Sequence, residues 1–213
     1  MKAAHLIGGV AVAVGLLMAR AGWADVACDA DPLPEPDSAY REYIAEVHRE
    51  LGIPEDYAAR TGMRLQRDNR DYLEKAWPTQ GGQGFRLTPE ANQAWLRMRA
   101  DAGQDGIELI LLSAYRSVFT QKRIIQGHLD NDREISDILR LNAAPGHSEH
   151  HTGDAMDLNT PGVDPLDPAF ADTPAYAWLR ENAWRYCFEL SYPPGNEHGV
   201  AFEPWHWRFI RSD

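Results

Sequence analysis

Two short stretches of the chain contain the side chains that a catalytic zinc site needs. The first runs from Ser148 to Asp157, and the second is Glu203-Pro-Trp-His206. A catalytic zinc takes three protein ligands from His and Asp or Glu, keeps a fourth position for water, and lies near a carboxylate that accepts a proton. His150, Asp157 and His206 can be these ligands, which leaves Glu203 as the general base.

The spacing within these stretches predicts how the ligands are presented. Six residues separate His150 from Asp157, which fits a loop followed by a strand rather than the i, i+4 pair of a helical zinc motif. On a regular strand Glu203 and His206 would point to opposite faces. Pro204 lies between them and has no backbone N–H to donate to a neighbouring strand. We therefore expect strand pairing to begin only after it, with both side chains facing the metal.

Three motifs of the chain resemble those of a known family. They are similar to the paired zinc motifs and the Tyr-Arg-Ser-x-x-x-Gln element of the VanY-type D,D-carboxypeptidases, zinc enzymes of bacterial cell-wall metabolism with a hedgehog-like fold. The resemblance extends over roughly residues 51 to 210. The motifs read Ser148-x-His150-x-x-Gly153-x-Ala155-x-Asp157, Glu203-x-x-His206 and Tyr115-Arg116-Ser117-x-x-x-Gln121.

The resemblance implies a role for each of these residues. Arg116 would either stabilise the oxyanion of the reaction or clamp the terminal carboxylate of the substrate, and the sequence leaves both open. A structural ion pair is the simpler alternative for this arginine. By resemblance, zinc is bound by His150, Asp157 and His206, catalysis involves Glu203 and Arg116, and the substrate contacts Gln121 and Ser148.

Neighbouring histidines and tryptophans need a separate interpretation. A histidine-rich run such as His147-Ser-Glu-His-His151 is common in polar surface loops, and only its coincidence with the other two motifs favours zinc. We expect His147 and His151 to lie at the surface or behind the ligands, without binding metal. For Trp205 and Trp207 we expect core packing rather than stacking on substrate.

The N-terminal region has the layout of a secretory signal peptide. Lys2 precedes an apolar run from Leu6 to Ala19 and a small-residue end at Ala24. This run is shorter than the ~20 residues that span a bilayer. We therefore expect cleavage after Ala24 and an exported protein of the periplasm or cell envelope, with no membrane span after cleavage.

Removal of this segment makes an acidic chain more acidic. The segment contains Lys2 and Arg20 and no acid, so the formal charge changes from −11 over 213 residues to −13 over 189. Such a surface disfavours nucleic acid and anionic lipid as partners, because phosphates attract Lys and Arg. A peptide substrate needs only a local basic group such as Arg116.

The chain contains two cysteines, Cys28 and Cys187. In an exported protein they can form a disulfide that ties the N-terminal tail to the core, or they can stay as two thiols, and the sequence leaves both open. Neither cysteine has the spacing of a zinc ligand.

The remaining sequence predicts a single zinc peptidase domain. Residues 25–37 form an acidic, proline-rich lead, and residues 38–213 form the domain. Because helices alternate irregularly with strands, we expect an α+β fold with a small, mostly antiparallel sheet flanked by helices and the zinc site on the sheet face. Helices are predicted from Ser38, Thr88, about Thr120 and Thr173, and strands over Ile107–Ser113, around Ala155–Asp157, and over Cys187–Tyr192 and Trp205–Ile210.

These predictions together indicate a hydrolase of the cell wall. We expect an exported zinc-dependent D-alanyl-D-alanine carboxypeptidase, with one Zn²⁺ per chain, that removes the terminal D-Ala from peptidoglycan stem peptides. An L,D-carboxypeptidase or an endopeptidase acting on the same peptides is the first alternative. A binding module that keeps the zinc fold without turnover is the second, and Glu203 argues against it because such a module has no need of a base.

Overall fold

A computed structural model describes residues 28–76 and 84–212 of the chain. Within them lie six α-helices and six strands, connected by loops and by three short 3₁₀ helices. The helices are α1 Ser38–Leu51, α2 Tyr57–Thr61, α3 Pro89–Gln104, α4 Val118–Leu129, α5 Ile135–Ile138 and α6 Pro174–Asn182. The strands are β1 Glu74–Lys75, β2 Arg86–Leu87, β3 Ile110–Ser113, β4 Ala155–Asn159, β5 Phe188–Leu190 and β6 His206–Phe209, and the 3₁₀ helices are Glu149–His151, Pro168–Asp172 and Ala183–Tyr186.

The central sheet is antiparallel and has the strand order β3-β4-β6-β5. Strand β4 lies inside this sheet and is buried along its whole length. Asp157 of β4 lies opposite Ser113 of β3 on one side and opposite His206 of β6 on the other. The predicted α+β fold with a small antiparallel sheet is therefore confirmed.

Capping side chains fix the predicted starts of two helices. Asp37 accepts a hydrogen bond from the backbone N–H of Tyr40 and caps α1, which ends at Gly52 in the left-handed conformation. Thr88 caps α3 in the same way by accepting from the N–H of Ala91. Among the described residues, every helix is too short or too polar to cross a membrane.

Several predicted boundaries move for local reasons. Helix α4 begins at Val118 rather than near Thr120, because Ser117 caps it. Cys187 has a positive φ of 62°, so β5 begins one residue later than predicted. Strand β3 begins at Ile110 rather than Ile107, and α4 is followed by the separate short helix α5.

Other elements lie outside what the sequence predicted. Helix α2 and the two-residue strands β1 and β2 are too short to produce a periodic pattern. The stretch Gly81-Gly-Gln-Gly84, whose glycines predict a flexible loop, lies largely outside the described residues. The signal peptide predicted over residues 1–24 lies outside them entirely.

Two apolar clusters form the core. The larger one joins α3 and α6 to one face of the sheet, and includes Trp95, Met98, Met156, Leu158, Leu179 and Trp207. The smaller one joins α1, α4 and α5, and includes Val47, Leu51, Ile125 and Ile138. Met156 and Leu158 contribute to the larger cluster, so Asp157 between them points to the other face of β4.

The N-terminal lead is fastened to the domain. Cys28 and Cys187 form a disulfide, with their Cα atoms 5.6 Å apart, which answers the question that the sequence left open. Next to it the hydroxyl of Ser212 donates to the carbonyl oxygen of Cys28 at 2.7 Å, and Arg211 donates to the carbonyl of Asp31 at 3.0 Å. Residues 28–31 therefore lie against the C-terminal segment, and residues 28–37 form no helix or strand of their own.

His147 lies in the smaller apolar cluster rather than at the surface. Its ring centroid is 5.2 Å from that of Tyr57 and 5.5 Å from that of His48. Its Nδ1 donates to the carbonyl oxygens of Met63 and Arg64, both at 3.2 Å. Burial, together with the nearby His48, lowers the pKa of His147 to about 4, so the imidazole is neutral at physiological pH.

We expect this buried histidine to make the fold sensitive to acid. His147 binds a proton in the unfolded chain below about pH 6.5 but in the folded chain only below about pH 4, so the unfolded state gains protons as the pH falls through this window. The neutral His147 makes its full contribution to the free energy of unfolding above about pH 6.5. This contribution decreases by up to about 3 kcal/mol as the pH falls towards 4. Urea unfolding of the metal-free protein at pH 7 and pH 4.5 would show a smaller pH dependence in His147→Gln than in the unsubstituted chain. Equal dependence in the two proteins would contradict this assignment.

Candidate active site

Three of the predicted residues form a compact, buried group. Asp157 lies on β4, His206 begins β6 directly opposite it, and His150 lies in the 3₁₀ helix Glu149–His151 that precedes β4. The potential ligand atoms of the three lie within 4.8 Å of one another. Their exposed fractions are 2 % for His150, 5 % for Asp157 and 2 % for His206. The loop-to-strand presentation predicted from the spacing is therefore confirmed.

Hydrogen bonds on the far side of each imidazole define the nitrogen that faces the group. Nδ1 of His150 donates to the carbonyl oxygen of Ala114 at 2.7 Å, which leaves Nε2 facing Asp157 at 3.3 Å. Nε2 of His206 donates to a carboxylate oxygen of Glu149 at 2.9 Å, which leaves Nδ1 facing Asp157 at 3.2 Å. Two imidazole nitrogens and one carboxylate thus converge, a donor set that suits Zn²⁺ with an open fourth position.

Glu203 lies beside this group because of a tight turn. Its backbone N–H donates to Tyr192, and its carbonyl oxygen accepts from the N–H of His206 at 3.1 Å, so strand pairing starts only after Pro204, as predicted. The Glu203 carboxylate lies 3.9 Å from Nδ1 of His206. Burial raises the pKa of Glu203 to about 7, with His206 lowering it and Asp157 raising it, which is the range suited to proton transfer at neutral pH.

The residues predicted to contact substrate line the same pocket, which has a volume of about 200 Å³. Gln121 donates through Nε2 to the carbonyl of Ala143 at 2.8 Å, while its buried Oε1 has no partner among the described residues. Ser148 and Arg116 also line this pocket. Arg116 makes no ion pair within the described part of the chain, and its buried Nε has no hydrogen-bond partner there.

The other two histidines of the run lie behind the ligands. His151 is fully buried, donates through Nδ1 to the carbonyl of Arg116 at 2.6 Å and accepts through Nε2 from the N–H of Gly146 at 3.1 Å. Neither His147 nor His151 belongs to the metal-binding group. Trp207 is a core residue as predicted, whereas Trp205 packs against the core and also lines the pocket.

A comparison with protein families decides how these features are classified. Residues 84–212 match the family VanY, D-alanyl-D-alanine carboxypeptidase, and this match covers more than half of the chain. The chain belongs to the VanY family. It is therefore a member of a family of zinc carboxypeptidases, as the motifs predicted.

Relatives within and around the VanY family agree with this classification. YodJ of Bacillus subtilis (strain 168) is 36 % identical over 58 % of this chain, and a D-alanyl-D-alanine carboxypeptidase of Enterococcus faecalis is 32 % identical over 59 %. These matches cover 46 % and 47 % of the relatives. The chain thus matches about half the length of the curated relatives.

Solved structures show the same fold. The LdcB LD-carboxypeptidase has a TM-score of 0.63 at 29 % identity, covering 69 % of this chain and 72 % of that one. A VanY D,D-pentapeptidase variant in complex with Zn(II) has a TM-score of 0.53 at 26 % identity, covering 70 % and 88 %. VanYB in complex with D-Ala-D-Ala has a TM-score of 0.52 at 27 % identity, covering 68 % and 86 %.

The glycine of the VanY motif has a clear structural reason. Gly153 has a φ of +79°, a conformation that strains residues with a side chain, and it lies between the 3₁₀ helix and β4. A Cβ atom at this position would lie 2.3 Å from the side chain of Leu73. The carbonyl oxygen of Gly153 also accepts from the N–H of Thr88 at 2.9 Å. The glycine therefore allows the metal-binding loop to pack directly against the start of α3.

Sequence reasoning missed Glu149, a member of the motif whose position carries no spacing signal. Glu149 accepts from Nε2 of His206 at 2.9 Å with one oxygen and from Arg208 at 3.1 Å with the other. Burial raises its pKa, but the hydrogen bond and charge of His206 and the charge of Arg208 outweigh burial and lower it to about 2. Arg208, which follows His206 by two residues on the same strand face, is the only hint in the sequence of a buried acid here.

We expect Glu149 to control zinc affinity through the orientation of His206. Glu149→Ala removes the acceptor that holds the Nε2–H of His206, so Nδ1 is no longer presented to the metal, and zinc affinity should fall roughly 10- to 100-fold. Competition with a chromophoric chelator measures this change. Glu189→Gln is the matched control, because Glu189 is close enough to Arg208 to feel its charge but makes no hydrogen bond to His206. An unchanged affinity in Glu149→Ala would show that His206 is oriented without it.

Proposed function

We propose that the chain is an exported D-alanyl-D-alanine carboxypeptidase that uses one Zn²⁺ per chain to remove the terminal D-Ala from peptidoglycan stem peptides. The observation that carries this proposal is the position of Glu203, a partly buried carboxylate 3.9 Å from the metal-facing nitrogen of His206 in the same pocket. A site that only bound metal or peptide would gain nothing from an acid in this place. His150, Asp157 and His206 are the proposed ligands.

The chemistry divides between the ion and the protein. Bound Zn²⁺ supplies Lewis acidity, which lowers the pKa of a water molecule and polarises a carbonyl group. Glu203 accepts the proton of the attacking water and later donates it to the amine that leaves as D-alanine. The pKa of about 7 that burial gives this carboxyl group suits both transfers.

Other residues of the pocket hold the peptide. Arg116 supplies a positive charge for the carbonyl oxygen during the reaction or for the terminal carboxylate of the substrate. The Oε1 atom of Gln121 is a buried acceptor without a partner among the described residues, so it can accept from a peptide N–H. Ser148 adds a hydroxyl, and the half-exposed Leu141 and Leu166 provide apolar contacts of a size suited to an alanine methyl group.

Two observations support export. The predicted signal peptide over residues 1–24 precedes an acidic lead over residues 25–37, and the disulfide between Cys28 and Cys187 connects that lead to the domain proposed for residues 38–213. Disulfides persist in oxidising compartments such as the periplasm. We therefore place the mature enzyme in the periplasm or the cell envelope.

An L,D-carboxypeptidase is the second candidate. The LdcB LD-carboxypeptidase has the same fold at 29 % identity and a TM-score of 0.63. The ligands and base proposed here would serve that reaction equally, because the two reactions differ in the configuration of the residue before the released D-Ala. The stem peptide from which the enzyme releases D-alanine distinguishes the two reactions.

The first test is D-alanine release from a synthetic stem pentapeptide by the protein lacking residues 1–24. We expect release that a chelator abolishes and added zinc restores. Glu203→Ala should lose about 10²- to 10⁴-fold in kcat, the range that a general base contributes. Glu197→Ala, an exposed acid in the same loop, is the matched control and should keep full activity.

Other outcomes would revise the proposal. Release of D-alanine from the tetrapeptide alone would assign the L,D-carboxypeptidase reaction, and a cut inside the stem would assign an endopeptidase. Binding of zinc without cleavage of any stem peptide would indicate a binding module.

A further inference from the structure

A second groove adjoins the catalytic pocket. Its volume is about 520 Å³, and it shares Ser113 and Arg116 with the pocket that contains the metal-binding group. Ser113 lies opposite the ligand Asp157 in the sheet, and the backbone N–H of Arg116 donates to the carbonyl of the ligand His150 at 3.0 Å. Two residues that line the groove therefore contact proposed zinc ligands directly. A peptide bound in the pocket can continue into the groove.

Three arginines line this groove, Arg70, Arg86 and Arg116, together with Tyr115. No acidic side chain is among the described residues that line it. This concentration of positive charge contrasts with a chain whose formal net charge is −11. A basic groove in an acidic protein attracts an anion to one place and repels it elsewhere.

The groups of the groove are held in position before any ligand binds. Asp68, behind the groove, accepts from the hydroxyl of Tyr115 at 2.6 Å, from Arg70 at 2.9 Å and from the N–H of Val118 at 3.1 Å. The guanidinium carbon of Arg86 lies 5.1 Å from the centroid of the Tyr115 ring, and the N–H of Tyr115 donates to the carbonyl of Arg86 at 2.9 Å. Fixed donors lose little side-chain freedom when they bind a carboxylate.

Of the two groove arginines that do not line the catalytic pocket, Arg86 is the more available to a ligand. Within the described parts of the chain it has no carboxylate partner, whereas Arg70 shares Asp68 with two other donors. The guanidinium of Arg86 lies over the Tyr115 ring, and its N–H groups stay available to a carboxylate, to which an arginine can donate two parallel hydrogen bonds.

We propose that this groove is a second substrate subsite that binds a side-chain or α-carboxylate of the peptide, outside the residue that is released, and so selects acidic peptides. The inference rests on the proposed function, since it extends the substrate of the same pocket. Arg86 and Arg70 determine specificity here and take no part in bond cleavage.

The experiment uses two synthetic pentapeptides that end in D-Ala-D-Ala and differ in one residue before this dipeptide, which carries either a free carboxylate or its carboxamide. The KM of the unsubstituted enzyme should be lower for the carboxylate peptide. Arg86→Gln should raise the KM of the carboxylate peptide about 3- to 10-fold, and adding Arg70→Gln should raise it further. In both variants kcat and the KM of the carboxamide peptide should stay unchanged. The preference should also weaken with salt. Arg180→Gln, an exposed arginine on α6, is the matched control and should change nothing.

Binding measurements separate failure of this inference from failure of the proposed function. The dissociation constants of both peptides for zinc-loaded Glu203→Ala report on the groove without turnover. Tighter binding of the carboxylate peptide that Arg86→Gln abolishes would support the subsite even if neither peptide were cleaved. Equal affinity for the two peptides, or an equal loss for both on substitution, would overturn it.

Discussion

The antiparallel pairing of β4 with β6 is the constraint on which the site depends. It places Asp157 opposite His206, and the buried Asp157 carboxylate faces both imidazoles at 3.2 and 3.3 Å. Burial lowers the pKa of His206, but hydrogen bonds with Asp157 and Glu149 outweigh burial and raise it to about 10. Two carboxylates around one imidazole thus form a buried centre that favours a positive charge, and a zinc ion can provide that charge in place of a proton.

The rest of the fold holds the third ligand against this pair. The loop before β4 spans two apolar clusters, since His147 packs against Tyr57 in one of them and the Gly153 carbonyl binds the start of α3 beside the other. His151 connects the loop to the carbonyl of Arg116, and His150 to that of Ala114. Of the three histidines of the run, His150 belongs to the metal-binding group, whereas His147 and His151 fix the loop, so that His150 would need little reorganisation to bind an ion.

Sequence could predict the site where residue identity and spacing carry the information. The loop-to-strand presentation of His150 and Asp157 followed from their separation, and the break in strand pairing at Pro204 followed from its missing donor. Sequence could not predict Glu149, because its role comes from contacts with His206 and Arg208, 57 and 59 residues away. For His147 and His151 the sequence left a position at the surface and one behind the ligands both open, because a run of polar residues gives no sign of the clusters that enclose it. The β1–β2 hairpin is too short for its pattern to be read, although β2 brings Arg86 to the groove.

Net charge excluded classes of partner but did not describe the site. The acidic composition argues against phosphate-rich polymers, yet the groove beside the catalytic pocket contains three arginines and, among the described residues, no acid. The two facts belong together, because a groove lined by arginines in a chain of negative net charge would attract an anionic peptide locally. Arg116 lies where the groove meets the pocket and lines both of them. The proposed peptide subsite and the proposed catalytic site would therefore be adjacent, because the segment that follows β3 lines each cavity.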